Sequence, residues 1–173
     1  MNLTSARHRQ EAADLTARFS VLTISDTRTL QTDTGGAAII TMMKETGHEL
    51  VSRGLVPDEP ARIEVELRSL LDDPNVDLVI TTGGTGIAPR DTTIEVVDRL
   101  LNRRLEGFGE LFRMLSYQEI GAAAMLSRAT GGLAGNRLLF ALPGSPHAVE
   151  LALSKLILLE LPHLLLERGG RMG

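Results

Sequence analysis

The sequence predicts an α/β fold: a mostly parallel sheet covered by helices, with one antiparallel strand late in the chain. Three observations carry that expectation. Short apolar, β-branched runs alternate with segments whose apolar residues recur at helical spacing, the pattern of strand–helix–strand units. The strand-like runs lead into loops of glycine, proline, hydroxyl and acidic residues, the punctuation that starts a helix. The joint Gly131-Gly-Leu-Ala-Gly-Asn136 lies between two further extended stretches and reads as a hairpin.

In chain order, Phe19 to Ser25 is apolar and β-branched and reads as a buried first strand. Thr34 or Gly35 through Glu45 is a helix, with Ala38, Ile39, Met42 and Met43 as its stripe and Gly47 as its stop. His48 to Leu55 is a weaker second strand. Pro60 opens the next helix at a position where its missing N–H costs little. Ile63, Leu67, Leu70 and Leu71 share a face of it, and Asp72-Asp-Pro-Asn75 ends it. Leu78 to Thr82 is the third strand, Gly83 to Asp91 a loop, and Thr92 to Leu101 a helix capped by Asp91 or Thr92. Phe108 to Tyr117 carries Leu111, Phe112 and Leu115 on one helical face. Ala122 to Arg128 and Arg137 to Leu142 read as the arms of the hairpin. Pro146 to Leu159 is the last long helix, with a further turn or helix to Arg168. It is apolar on more than one face, so it is buried in the core or in a subunit interface. Residues 19–168 thus read as a single domain between a polar extension, residues 1–18, and a short tail, residues 169–173.

Composition narrows the function. The chain has 173 residues, no cysteine and only five rings (four Phe, one Tyr). Disulfide frameworks, cysteine-ligated metals and cysteine nucleophiles are excluded. A formal charge of −4 and 3% aromatic residues argue against nucleic acid as a partner, by basic face or by base stacking. No signal-peptide core precedes residue 19, and the apolar stretch Leu151–Leu166 is broken by Ser154, Lys155, Glu160, Pro162 and His163. Neither a secretory leader nor a membrane partner is expected, and the expected location is the cytoplasm.

In open α/β sheets ligands bind at the carboxyl ends of the strands. The most informative loop there is Thr81-Thr-Gly-Gly-Thr-Gly86. Its glycines expose N–H groups, its threonines add hydroxyls, and a helix N-terminus follows, all of which suit a phosphate; the plain alternative is a tight turn. The lysine of a Walker loop is absent, and Pro89 stands where a dinucleotide fingerprint wants its third glycine. Arg90 either clamps a phosphate as a bidentate partner or is a solvated side chain beside a capping Asp91. Asp91 either holds Mg²⁺ or caps the helix, and Asp58, at the end of the second strand, offers the same pair of roles. Ser25, Asp26 and Asp33 follow the first strand and either contact a polar ligand or order their loop. Pro143-Gly-Ser145 precedes the last helix as a second anion site, with Ser145 as cap and ligand group. Ser145 and His147 do not form the Gly-x-Ser-x-Gly elbow of a serine hydrolase. The other histidines show no metal-ligand spacing.

Taken together these loops resemble the MoaB/MogA family of molybdenum cofactor biosynthesis proteins. The matching segments are Leu22-Thr-Ile-Ser-Asp-Thr-Arg28 with Asp33-Thr-Gly35, Val56-Pro-Asp58, and Thr81 to Asp91 with its Pro-Arg-Asp tail. Gly107-Phe-Gly-Glu-Leu-Phe-Arg113, Leu126-Ser-Arg128 and Leu142-Pro-Gly-Ser145 complete an ordered set. Glu106 departs from the usual apolar or proline residue before Gly107. The stretch from Ser5 to Arg28 is more similar to the MoaB branch.

The resemblance implies a three-layer α/β/α domain that forms trimers, or hexamers in the MoaB branch. It implies that the chain binds molybdopterin and adenylates it with Mg²⁺ and ATP, or binds it without turnover. ATP is then a co-substrate, no permanently bound cofactor is expected, and the molybdenum-insertion enzyme is a candidate protein partner. By the same resemblance Asp58 and Asp91 are the catalytic, metal-holding acids. Thr82, Gly83, Gly84, Thr85 and Gly86 form the ligand loop, with Ser25, Asp26, Arg90, Pro143, Gly144 and Ser145 as further ligand contacts.

Overall fold

The computed structural model describes residues 15–169, so most of the polar extension and of the C-terminal tail lies outside the described residues. The chain runs through β1 (Arg18–Ile24), α1 (Thr34–Glu45), β2 (Glu49–Val56), α2 (Pro60–Asp72), β3 (Leu78–Thr82) and α3 (Thr93–Leu100). There follow β4 (Arg103–Arg104), α4 (Glu106–Ile120), a 3₁₀ helix (Gly121–Leu126), β5 (Thr130–Ala134) and β6 (Arg137–Leu142). The last helical run is α5 (Pro146–Ala152), a π turn (Leu153–Ile157) and α6 (Leu158–Arg168).

The six strands lie in the order β2-β1-β3-β6-β5-β4. β2, β1, β3 and β6 are parallel, while β5 runs antiparallel to both its neighbours. Central strands β1 and β3 are buried along almost their whole length, as continuous apolar runs require when helices cover both faces. On one face Phe19, Val21, Ile80 and Phe140 pack against α1, α4 and the last helical run, with Phe108 edge-on to Phe140 at 4.9 Å between centroids. On the other, Leu22, Val79 and Leu139 meet Ile63 and Leu67 of α2 and Val96 and Val97 of α3. The expected three-layer α/β/α architecture is the one observed.

The hairpin forms, but its first arm is displaced. Ala122–Arg128 is not a strand: Gly121 ends α4, and the alanine run, which has no β-branched residue, coils as 3₁₀ helix. The strand is Thr130–Ala134, and the turn is only Gly135-Asn136. Gly131 and Gly132 are therefore inside a strand, where they mark close approach. A Cβ on Gly132 would lie 2.1 Å from the carbonyl of Arg103, and one on Gly131 would lie 2.2 Å from the Phe140 ring. The two-residue β4 has no sequence signature, because a pair of arginines carries no strand signal.

Among the described residues no helix is long and apolar enough to cross a membrane.

Candidate functional site

Because β1, β2, β3 and β6 are parallel, the loops that follow them emerge at one edge of the sheet. The chain from β1 goes outward to β2 and then back across to β3, which puts a topological switch point between β1 and β3. There the four loops enclose a cavity of about 560 Å³. Its wall carries Ser25, Asp26, Asp58, Gly83 to Gly86, Arg90, Asp91, Pro143 and Gly144. A larger, mostly apolar groove of about 690 Å³ lies between the start of α4 and the π turn and α6. It contains neither the glycine loop nor its acids, so the smaller cavity is the candidate site.

The glycine loop needs its glycines. Gly83 has φ +97°, and a Cβ there would lie 2.2 Å from the Ile24 carbonyl. Gly84 has φ +62°, and a Cβ there would meet Thr93 Oγ1 at 2.3 Å and Asp58 Oδ2 at 2.4 Å. Both require the left-handed conformation and a bare backbone face. The Gly83 N–H donates to Leu142, and the Gly84 carbonyl accepts from Thr93 as α3 begins. The N–H groups of Gly84, Thr85, Gly86 and Ile87 have no protein acceptor among the described residues. Consecutive unclaimed amides of this kind form a nest for an anion.

Three carboxylates stand around that nest. Asp58 is 8% exposed. Its Oδ1 accepts from the Thr92 hydroxyl at 2.8 Å and the Thr92 N–H at 3.2 Å. Asp58 thus caps α3 from another loop, not its own helix α2, whose N-cap position is Glu59 without a side-chain bond. Burial, with the Asp91 and Asp26 charges, pushes the Asp58 carboxyl above its ordinary range, although the Thr92 bonds oppose this. Asp91 Oδ2 accepts from Ala88 N–H inside its own loop. Asp26 Oδ1 accepts from the Asp58 N–H at 3.1 Å and from Arg90 Nη2 at 3.0 Å, so an Asp26–Arg90 pair bridges the first and third loops. Arg90 is 67% exposed, and the pair spans the cavity rim.

Not every expected residue presents its side chain to the cavity. Ser25 Oγ accepts from Thr27 and Arg28 N–H and orders its loop. Asp33 is buried as the cap of α1, held by Thr23, Gly36 and Arg53. Thr82 is buried and donates to the Pro143 carbonyl at 2.9 Å, tying the third loop to the last. Ser145 caps α5 through Ala148 N–H, and its side chain is not in the cavity wall. Sequence reasoning assigned no role to Arg28, whose Nη1 donates to the Gly144 carbonyl at 2.9 Å, nor to Leu126, Ser127 and Arg128. The Leu126-Ser-Arg128 motif was visible, but only the fold brings it beside the glycine loop.

The donor set suits a hard cation. Asp58 Oδ2 and Asp91 Oδ1 accept no hydrogen bond among the described residues, and the mutual repulsion of the acids would be relieved by positive charge. No group of three or more acidic, histidine or cysteine side chains among the described residues could hold a metal alone. Mg²⁺, which takes one or two carboxylates and completes its shell with substrate phosphates and water, fits such a site.

Comparison with known proteins identifies the family. Residues 20–163 match the family model described as a probable molybdopterin binding domain. The molybdenum cofactor biosynthesis protein B of Bacillus cereus is 46% identical over 164 residues, covering 94% of this chain and 97% of that protein. A crystal structure of a molybdenum cofactor biosynthesis protein B superposes with a TM-score of 0.87 at 47% identity, covering 90% of this chain and 97% of that one. The tungsten cofactor synthesizing protein MoaB from Pyrococcus furiosus gives 0.77 at 38% identity, covering 87% and 95%. With the fold, the loop set and these relatives in agreement, the chain belongs to the MoaB/MogA family of molybdenum cofactor biosynthesis proteins.

Proposed function

We propose that this chain binds molybdopterin and adenylates it with MgATP, releasing pyrophosphate. The observation that carries the reading is the convergence of an unclaimed amide nest, Gly84 to Ile87, with Asp58 and Asp91 on one cavity. The matched family supports a pterin as the ligand.

The chemistry asks little of a general base. A phosphate monoester has a second pKa of about 6 and is already largely ionised at neutral pH. Its oxygen attacks the α-phosphorus of ATP. A new P–O bond forms while the bond from that phosphorus to the bridging oxygen breaks, and pyrophosphate leaves with the electron pair. The barrier is the approach of anions and the charge on the leaving group, which positioned donors lower by electrostatic stabilisation. Asp58 and Asp91 would hold Mg²⁺, which supplies charge neutralisation on the phosphates. The glycine-loop amides bind phosphate oxygens. Arg90, exposed at the rim, exchanges its Asp26 partner for a phosphate oxygen of the substrate. The subunits assemble as trimers or hexamers in this reading.

Asp91→Asn tests the assignment. Purified protein is incubated with molybdopterin, ATP and Mg²⁺, and adenylyl-molybdopterin and pyrophosphate are quantified. The variant is expected to retain its fold and lose turnover by about 100-fold or more. A wild-type rate in the variant removes Asp91 from the mechanism. Pterin binding by the wild type without any product makes the chain a binding protein instead.

A further inference from the structure

Arg128 stands between the 3₁₀ helix and β5, far in sequence from the glycine loop. Its guanidinium donates through Nε to the Thr85 carbonyl at 2.9 Å and through Nη2 to the carbonyls of Gly86 and Asp91, the latter at 3.1 Å. Nη1 meets the carboxylate of Glu95 on α3. One side chain therefore grips three carbonyls of the loop and one helix behind it. Arg128 sits on the wall of a separate small cavity of about 210 Å³, with Asp98 and Thr130. Thr85, Gly86 and Asp91 line the functional cavity. The guanidinium is thus behind the loop, with the site in front.

The peptide unit is planar and trans, so its C=O and N–H point in opposite directions. A carbonyl drawn back toward Arg128 turns the next residue's N–H the other way. The three gripped units carry the N–H groups of Gly86, Ile87 and Thr92. The Thr92 N–H goes to Asp58, so that unit is held at both ends. The Gly86 and Ile87 N–H groups have no protein acceptor among the described residues.

We propose that Arg128 is a positioning residue: it grips the loop from behind and aims the Gly86 and Ile87 amides at a substrate phosphate, without touching substrate itself. This rests on the reading of the cavity as a phosphate site. The planar five-donor fork is what matches several carbonyls at once, and a lysine ammonium keeps the charge but not that geometry. Glu95 ties the guanidinium to α3, so the loop and helix are held as one body.

The test compares wild type, R128K and R128A by three readouts: hydrogen exchange at the hydrogen-bonded Ala88, Thr92 and Thr93 amides that close the loop, MgATP affinity by calorimetry, and thermal unfolding. In both variants exchange is expected to accelerate and MgATP affinity to fall, each by about tenfold or more, while cooperative unfolding persists. KM for ATP should rise more in R128K than kcat falls. Wild-type exchange and affinity in R128K overturn the proposal, since charge alone would then suffice. Loss of cooperative unfolding in R128K also overturns it, by assigning Arg128 to the stability of the whole domain. If the wild type itself binds no MgATP, the adenylation reading fails, yet the exchange comparison still decides whether Arg128 holds the loop.

Discussion

Replacing Gly84 with alanine separates a functional loop built on close packing from an ordinary turn. At φ +62° the new side chain meets the left-handed penalty, about 1–2 kcal/mol. Its Cβ would arise 2.4 Å from Asp58 Oδ2 and 2.3 Å from Thr93 Oγ1, and each must retreat by about 1 Å to reach ordinary contact. Both are side-chain atoms, so the backbone can stay in place while Asp58 moves. That movement strains the bonds that Asp58 accepts from the Thr92 N–H and hydroxyl. A hydrogen bond to a charged group contributes about 1.5–3 kcal/mol, so losing one brings the total to about 3–5 kcal/mol. For a chain of this length that lowers Tm by about 6–20 °C. Calorimetric unfolding measures the shift, and MgATP titration of the still-folded variant at 25 °C should show weakened binding. If Gly84→Ala unfolds within about 1 kcal/mol of wild type, Asp58 is not packed on Gly84 as described and the reasoning fails.

Two pH-dependent predictions accompany it. Asp58 is raised in the fold, so the folded state holds its proton more tightly than the unfolded chain does; its contribution to stability is lost as pH rises from the ordinary aspartate value through the raised one. Asp58→Asn removes that loss and keeps an oxygen acceptor for Thr92. Urea melts at pH 7 should find the variant at least as stable as wild type though catalytically impaired; a clear destabilisation contradicts this. Asp77 has the opposite sign. Burial would raise it, but the Arg18 and Arg168 hydrogen bonds outweigh burial and hold it well below the carboxylate range. Its stabilisation is complete above about pH 4 and is lost as pH falls below that. Acid titration of Asp77→Asn should show a flatter stability curve below pH 4, and an unchanged slope would assign acid sensitivity to other groups.

Clustering of strain and charge at one edge follows a general pattern. Two left-handed glycines and a raised carboxyl border the same cavity, and the unpartnered buried hydroxyl of Thr93 lies against Gly84. Elsewhere the acids are satisfied: Asp33 by Thr23, Gly36 and Arg53, and Asp77 by its two arginines. At this edge, strain and charge that cost stability adjoin a place where a ligand can compensate them.

The sequence by itself determined the alternation of strands and helices, because burial on both faces of a parallel sheet demands continuous apolar runs separated by amphipathic ones. It also marked the four loops, since glycine, proline and capping residues act locally and are readable locally. It misread residues 122–134 because glycine in a strand and glycine in a turn look alike; only the nearness of Arg103 and Phe140 tells them apart. Which side chains serve the site was likewise a tertiary matter. Ser145 and Thr82 read as ligand groups, yet their hydroxyls engage in a cap and a loop tie. Arg128 is legible only as part of the Leu126-Ser-Arg128 motif and not in its role, because the partners that define that role are carbonyls roughly 40 residues away, and a carbonyl belongs to every residue. Composition and periodicity report what each segment prefers; only the folded chain decides which distant backbone a guanidinium can reach.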